Sequence, residues 1–204
     1  MTSRATFGIL TEFSEDIQLR VSILEFAGGH QVLSGVQAGR LLLGKLVSAA
    51  CPPAEPEPAF LDFEGVSVAT ASFLRESVIA FRDHARATLL GLYPVIANAT
   101  PAIVEELDLF LRHRKDAVWA CGMTKEGKLF NLAIVGELDE AHSATLDLVR
   151  RLRTASAPSL AAQSEESIAP TAWNNRLSSL AARGLLIERR SGKTKTFAPV
   201  LEAV

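Results

Sequence analysis

Only two cysteines occur in the 204 residues, Cys51 and Cys121, far apart and outside any metal-ligand spacing. That excludes a disulfide framework and fits a reduced compartment. Long apolar runs are missing too, since none approaches the roughly 20 residues that cross a bilayer. Met1 to Arg20 is interrupted by Glu12, Glu15 and Asp16, which does not read as a charged-then-apolar leader. The expected location is therefore cytoplasmic, with no membrane partner. Catalytic signatures are equally scarce. His30, His84, His113 and His142 are scattered, with no H-x-E, H-E-x-x-H or cysteine at ligand distance. No G-x-S-x-G, phosphate loop or dinucleotide fingerprint is present. Asp62 and Glu64, two apart on a candidate strand, form the one carboxylate pair to weigh, and a strand-end structural role is expected of them. The expectation is a protein that is not an enzyme and uses no metal and no cofactor.

What is present is a globular composition, 48% apolar and 22% charged, long enough for one large domain or two small ones. The net charge of −2 hides an asymmetry. Residues 150–196 hold nine Arg and Lys against three Glu, a net of +6, while the other 157 residues hold twelve against twenty, a net of −8. An acidic body with a basic tail suits a chain of which one part meets a polyanion. Solvated cations on hairpins and helix ends are the plainer reading of the same numbers.

Along the chain, Ala5–Phe13 and Ile17–Phe26 read as β-rich segments around the turn Ser14-Glu15-Asp16, and Gly28-Gly29 breaks the second. Gln37–Ala49 reads as a helix with Ala38, Leu41, Leu42, Lys45 and Leu46 on its covered face. Ala59–Val66 and Leu89–Ile96 read as strands covered on both faces. Between them Ser72 is placed as the cap of a long helix with an inner stripe of Phe73, Ser77, Ala80 and Phe81. Thr100-Pro101 opens a further helix. Asp116–Val135 reads as two strands joined at Thr124-Lys125-Glu126-Gly127. A helix to about Arg153 follows, with the stripe Ala141, Thr145, Leu148, Val149 and Leu152. The Arg112-His113-Arg114-Lys115 knot is expected to complement a helix C-terminus. Strands alternating with helices predict an α/β sandwich.

The most informative stretch is Thr171–Val200. Trp173, Leu177, Leu180 and Ala181 recur at the spacing of one helical face. Pro170 suits a first turn and Gly184 a left-handed stop. Leu185-Leu186-Ile187, the turn Ser191-Gly192 and Thr194–Phe197 then read as a hairpin. It carries Arg189, Arg190, Lys193 and Lys195. Opposite the apolar stripe lie Asn174, Asn175, Ser178 and Ser179, whose amides and hydroxyls can bond base edges in a major groove.

On these residues, Ser156–Val200 resembles a winged helix-turn-helix, with Ser159-Leu160-Ala161-Ala162 as its second helix and Ala181-Ala182-Arg183-Gly184-Leu185-Leu186 as the helix-to-wing corner. The resemblance implies double-stranded DNA as partner. Asn174, Asn175 and Ser178 would lie at the bases, Arg176 and Arg183 near the backbone, and Arg189, Arg190, Lys193 and Lys195 on the wing, with Thr171 also among the DNA-binding residues. Such regulators bind paired half-sites, so a homodimer is the corresponding expectation. Winged helices also serve docking and dimerisation. Earlier in the chain, Leu61-Asp62-Phe63-Glu64-Gly65-Val66 followed by Ala71-Ser72-Phe73-Leu74-Arg75-Glu76 is similar to STAS-like domains, relatives of the anti-sigma-factor antagonists. The match runs from about Val32 to Arg114. In that family Asp-Ser-Ser-Gly follows the strand and its second serine is phosphorylated. Here Thr70, Ala71, Ser72 and Phe73 stand at those positions, so Ser72 survives as the candidate phosphosite or partner-docking residue while the acid and the glycine are lost. The expected organisation is an α/β, STAS-like mixed sheet with covering helices over residues 1–136, then a small winged helix-turn-helix over 137–204. The expected function is a DNA-binding transcriptional regulator with a sensing or interaction domain. The alternative is a protein-interaction module of a partner-switching system, whose winged helix serves dimerisation or docking.

Overall fold

Phe60, Tyr93, Val95 and Trp119 face one side of a sheet and Ala59, Leu61, Leu92, Ile96 and Val118 the other, and both sets are buried. This alternation at period two, with apolar residues on both phases, is that of strands covered on two sides. The computed structural model describes residues 19–164, 168–192 and 194–202. The expected Ala5–Phe13 strand, the Ser14–Asp16 turn, the start of the Ile17–Phe26 segment and Lys193 lie outside them.

The protein is mixed α/β. Its main sheet has the order β1 (Leu19–Ser22), β3 (Glu57–Asp62), β5 (Leu92–Ala97), β6 (Ala117–Met123) and β7 (Leu129–Gly136). The first four run parallel and β7 returns antiparallel to β6. A short parallel pair, β2 (Val32–Leu33) with β4 (Val68–Ala69), stands beside it. Strand order advances one way along the sheet. Right-handed crossovers therefore place every connecting helix on the same face. Those helices are α2 (Val36–Ala49), the run α3 (Ala71–Leu74), a π-helical turn (Arg75–Ile79) and α4 (Ala80–Thr88), and then α5 (Pro101–His113). Leu42, Leu46, Phe73, Val78, Phe81, Ile103, Leu107 and Leu111 fill that side.

The opposite face is closed by the segment after β7. It comprises α6 (Glu140–Leu152), α7 (Ala157–Gln163), α8 (Pro170–Ala182), β8 (Leu186–Ser191) and β9 (Thr194–Pro199). Leu146, Val149, Leu160, Trp173, Leu177, Leu180, Leu186 and Phe197 join Phe60, Tyr93, Val95 and Trp119 in one cluster. No described helix is long and apolar enough to cross a membrane.

Several sequence expectations are corrected. The Ile17–Phe26 segment leaves β1 at Ser22 and turns into a short helix, α1 (Ile23–Phe26), with the Ser22 side chain as cap. The buried residues of α2 are Gly39, Leu42 and Leu46, one position round from the expected face, and Leu41 is 71% exposed. Gly39 allows this, because a Cβ there would meet the Phe73 carbonyl at 2.8 Å. Thr70, not Ser72, caps α3, its hydroxyl accepting the Phe73 N–H. The π-helical turn adds a residue to the helical repeat, so the buried side passes from Phe73, Leu74 and Ser77 to Phe81, Arg82 and Ala85. In α6 the buried residues are Thr145, Leu146 and Val149, while Leu152 is exposed.

Candidate nucleic-acid interface

Local chemistry builds the C-terminal helices and hairpin. Ser156 and Ser159 form a reciprocal capping box that starts α7, with Pro158 inside the first turn. Pro170 begins α8, where its missing N–H has no helical partner to lose. Gly184, at φ +79°, ends that helix, and Leu185 N–H closes back on Leu180 O at 2.9 Å. The hairpin pairs Leu186 with Pro199 through Ser191 with Thr194, turning at Gly192 with φ +60°.

On α8, Trp173, Leu177, Leu180 and Ala181 are buried as the spacing predicts. The open side runs Thr171, Asn175, Ser178, Ala182, positions i, i+4, i+7 and i+11 of one stripe, with Ser178 the least exposed of the four. Asn175 is the central polar group of that stripe, and Asn174 and Ser179 are half-buried on its flanks. Arg176 is half-buried, its guanidinium 5.1 Å from the Trp173 ring centre. Arg183 turns toward the sheet and donates to the Lys115 carbonyl at 3.1 Å. The structure thus gathers Thr171, Asn175 and Ser178 on one line and commits Arg183 elsewhere.

The β8–β9 hairpin is less positive than its sequence suggests. Ladder pairing sets Glu188 opposite Phe197 and Arg190 opposite Lys195, on one face of the hairpin. Glu188 holds Arg190 at 2.8 Å and Lys195 at 3.0 Å. Burial alone would raise the Glu188 pKa, but hydrogen bonds from these two cations outweigh it and hold the carboxyl below its ordinary range. Arg189 lies on the other hairpin face, opposite Thr196, and is exposed.

Sequence reading missed the groups that seat this unit on the sheet. Trp119 Nε1 donates to Leu185 O at 2.9 Å, and Tyr93 Oη accepts the Glu188 N–H at 3.0 Å. Arg86 stacks 3.8 Å from the Tyr93 ring centre and donates to Ala181 O at 3.2 Å. All three grip the corner between α8 and β8. One signal was available: Tyr93 is the only tyrosine, inside the apolar strand LYPVIA, and a buried phenol must find a partner.

The other candidates resolve as follows. Ser72 is half-buried at the start of α3, its hydroxyl 3.2 Å from that of Thr70, while Glu106 accepts the neighbouring Ala71 N–H at 2.9 Å. Asp62, 4% exposed, accepts from Arg20 Nε, Asn98 Nδ2 and the Glu64 N–H, and Arg20 also reaches Glu64. That pair is a strand-end knot, as expected. Burial, aided by the Asp62 charge, pushes the nearby Cys121 thiol up to about 12. In the Arg112–Lys115 knot, Arg112 pairs with Asp108, Lys115 with Glu137, and Arg114 lies over Phe110. Among the described residues no three His, Cys, Asp or Glu converge where a metal ion would sit.

No protein-family model matches the chain, and no curated protein or solved structure matches it significantly.

Proposed function

We propose that the protein is a cytoplasmic DNA-binding transcriptional regulator, with a STAS-like sensing body and a winged helix-turn-helix reader. The observation that carries this reading is the polar stripe on α8, Thr171 and Asn175 exposed and Ser178 half-buried in line with them, while the opposite side of that helix is committed to the core. Exposed Arg189 and Arg190 stand on the adjoining hairpin. In this arrangement α8 enters the major groove, where Asn175 offers both a donor and an acceptor to a base edge and Thr171 and Ser178 bond bases or phosphates. Asn174 and Arg176 border the groove. Arg189, Arg190 and Lys195, with Lys193 by its sequence position, meet phosphates. Arg183 orients the helix through Lys115 rather than touching DNA. A homodimer would present two such readers to paired half-sites.

The test is a mobility-shift assay with random genomic duplexes, comparing the wild type with Arg189→Glu/Arg190→Glu. Retention by the wild type at low salt and its loss in the variant supports the reading. Absence of duplex binding by the wild type removes it.

One observation favours a second reading, a protein-interaction module whose winged helix is structural. The helix-to-wing corner is gripped by Trp119, Tyr93 and Arg86, and Glu188 takes up part of the wing's charge. On that reading a partner docks at the body around Ser72, or a second copy does. The same charge reversal would then leave self-association and partner binding unchanged, with no DNA phenotype to lose.

A further inference from the structure

A cleft of about 580 Å³ opens beside the C-terminal end of α6, lined by none of the residues assigned to DNA. Arg150, Arg151 and Arg153 surround it, and Leu132, Pro199 and Leu201 supply its apolar wall. Arginines at a helix C-terminus are common, since they complement the carbonyl end. The Arg112–Lys115 knot is the control inside this molecule: at the end of α5, Asp108 and Glu137 take up Arg112 and Lys115, and the Phe110 ring lies under Arg114.

The α6 end differs. Arg150 leans 3.5 Å from Asp147 and lies 5.5 Å from the Trp119 ring centre, whereas Arg151 and Arg153 are exposed and make no ion pair with any described residue. Among the described residues Glu202 is the remaining acid on the cleft, which leaves three cations against two carboxylates there. Arg153 is also held in a strained backbone. Its φ of +61° and ψ of −37° accompany a bond from Thr154 N–H to Leu152 O at 2.7 Å, a γ-turn that L-residues rarely adopt. Glycine would take that conformation without strain, yet an arginine stands there. Strain of this kind gathers at ligand sites, where the surrounding fold sustains it.

We infer that this cleft binds a small amphipathic acid. Arg151 and Arg153 hold its carboxylate or phosphate, and Leu132, Pro199 and Leu201 cover its apolar body. The volume lies within the usual span for small ligands, roughly 300–1,000 Å³. The walls come from β7 of the sheet and from α6 and the residues around the end of β9, so an occupant ties the sheet to the winged unit. That is the position of an effector if the DNA reading holds. The binding itself does not depend on it.

The experiment titrates full-length protein with octanoate and with phenyl phosphate, using octanol and phenol as the neutral counterparts. Tryptophan emission reports on Trp119 beneath Arg150, and calorimetry follows the same titrations independently of any emission change. We expect saturable binding of at least one anion, which also tells carboxylate from phosphate. Its neutral counterpart should bind at least about ten-fold more weakly, as should the anion to Arg151→Gln/Arg153→Gln, because each charge-assisted bond lost is worth that much or more. Lys45→Gln, at a separate cleft of about 320 Å³ beside α2, should bind as the wild type does. Arg153→Gly should raise the unfolding midpoint while weakening the anion, which separates lost binding from lost folding. Failure of both anions to saturate, equal binding of the alcohols, or undiminished binding by the double glutamine variant would overturn the inference. Loss of DNA retention alone would leave it standing.

Discussion

The two tryptophans offer a matched pair. Both are fully buried in the cluster between the sheet and the C-terminal unit. The Trp119 N–H reaches Leu185 O at 2.9 Å, whereas the Trp173 N–H meets no acceptor among the described residues. Trp119→Phe and Trp173→Phe remove the same atoms and so share a comparable cavity cost. Only the first takes a hydrogen bond from a buried carbonyl, that of Leu185, which is left with the longer bond from the Val200 N–H at 3.3 Å. A hydrogen bond of this kind contributes about 0.5–1.5 kcal/mol net, while removing an unpaired N–H relieves desolvation. Trp119→Phe should therefore be the more destabilising by about 1 kcal/mol, a measurable share of the roughly 5–15 kcal/mol of a typical domain. Urea unfolding followed by far-ultraviolet circular dichroism measures both. Because Trp119 sits in the sheet and Leu185 in the C-terminal unit, each variant should shift one shared transition. Equal losses, a larger loss in Trp173→Phe, or two separate transitions of which only one moves would refute the reasoning.

Three further outcomes are expected. Arg82, 4% exposed, bonds Asp116 and Asp83; burial opposes its charge, but the two carboxylates outweigh that. Arg82→Met should cost about 3–5 kcal/mol by urea unfolding, since Asp116 is left with little solvent and no counter-charge, and Arg82→Met/Asp116→Asn should recover part of it. Burial pushes the Cys121 thiol up to about 12, so at mildly alkaline pH a thiol reagent should label Cys51 alone in the native protein and both cysteines after denaturation. Rapid labelling of two thiols in the native state would contradict this. For Glu188 the folded pKa is depressed, so its stabilising contribution is present above the unfolded carboxylate value and disappears as pH falls through the folded one. Glu188→Gln should accordingly be less stable than the wild type at neutral pH, with the gap closing in acid; a gap that widens in acid would show the sign to be wrong.

The C-terminal unit was legible because its signals are local. Trp173, Leu177, Leu180 and Ala181 mark one face, Gly184 a stop and Ser191-Gly192 a turn, and each stands where expected. The Thr100-Pro101 start of α5 and the Thr124–Gly127 hairpin were legible for the same reason. What periodicity could not supply was the direction of each face against its neighbours. The α2 face is set by the close approach of Gly39 to Phe73, a contact between distant segments. The π-helical turn leaves no mark in composition, yet it decides that Arg82 turns inward. The partners of the hairpin cations were also hidden. Glu188 appeared as one acid among many until the ladder set Arg190 and Lys195 beside it. The grip of Trp119, Tyr93 and Arg86 on the corner between α8 and β8 lies between residues 66 to 95 positions apart, beyond the reach of any motif.

The reading of this protein as a DNA-binding regulator is tested most directly by fluorescence anisotropy of a labelled duplex against salt. With Arg189, Arg190, Lys193 and Lys195 neutralising about four phosphates, the log–log slope should be roughly −4, so that binding weakens about 10²-fold between about 50 and 200 mM salt. Arg189→Glu/Arg190→Glu should flatten that slope by about two units. An affinity indifferent to salt, or a slope unchanged by the charge reversal, would contradict it.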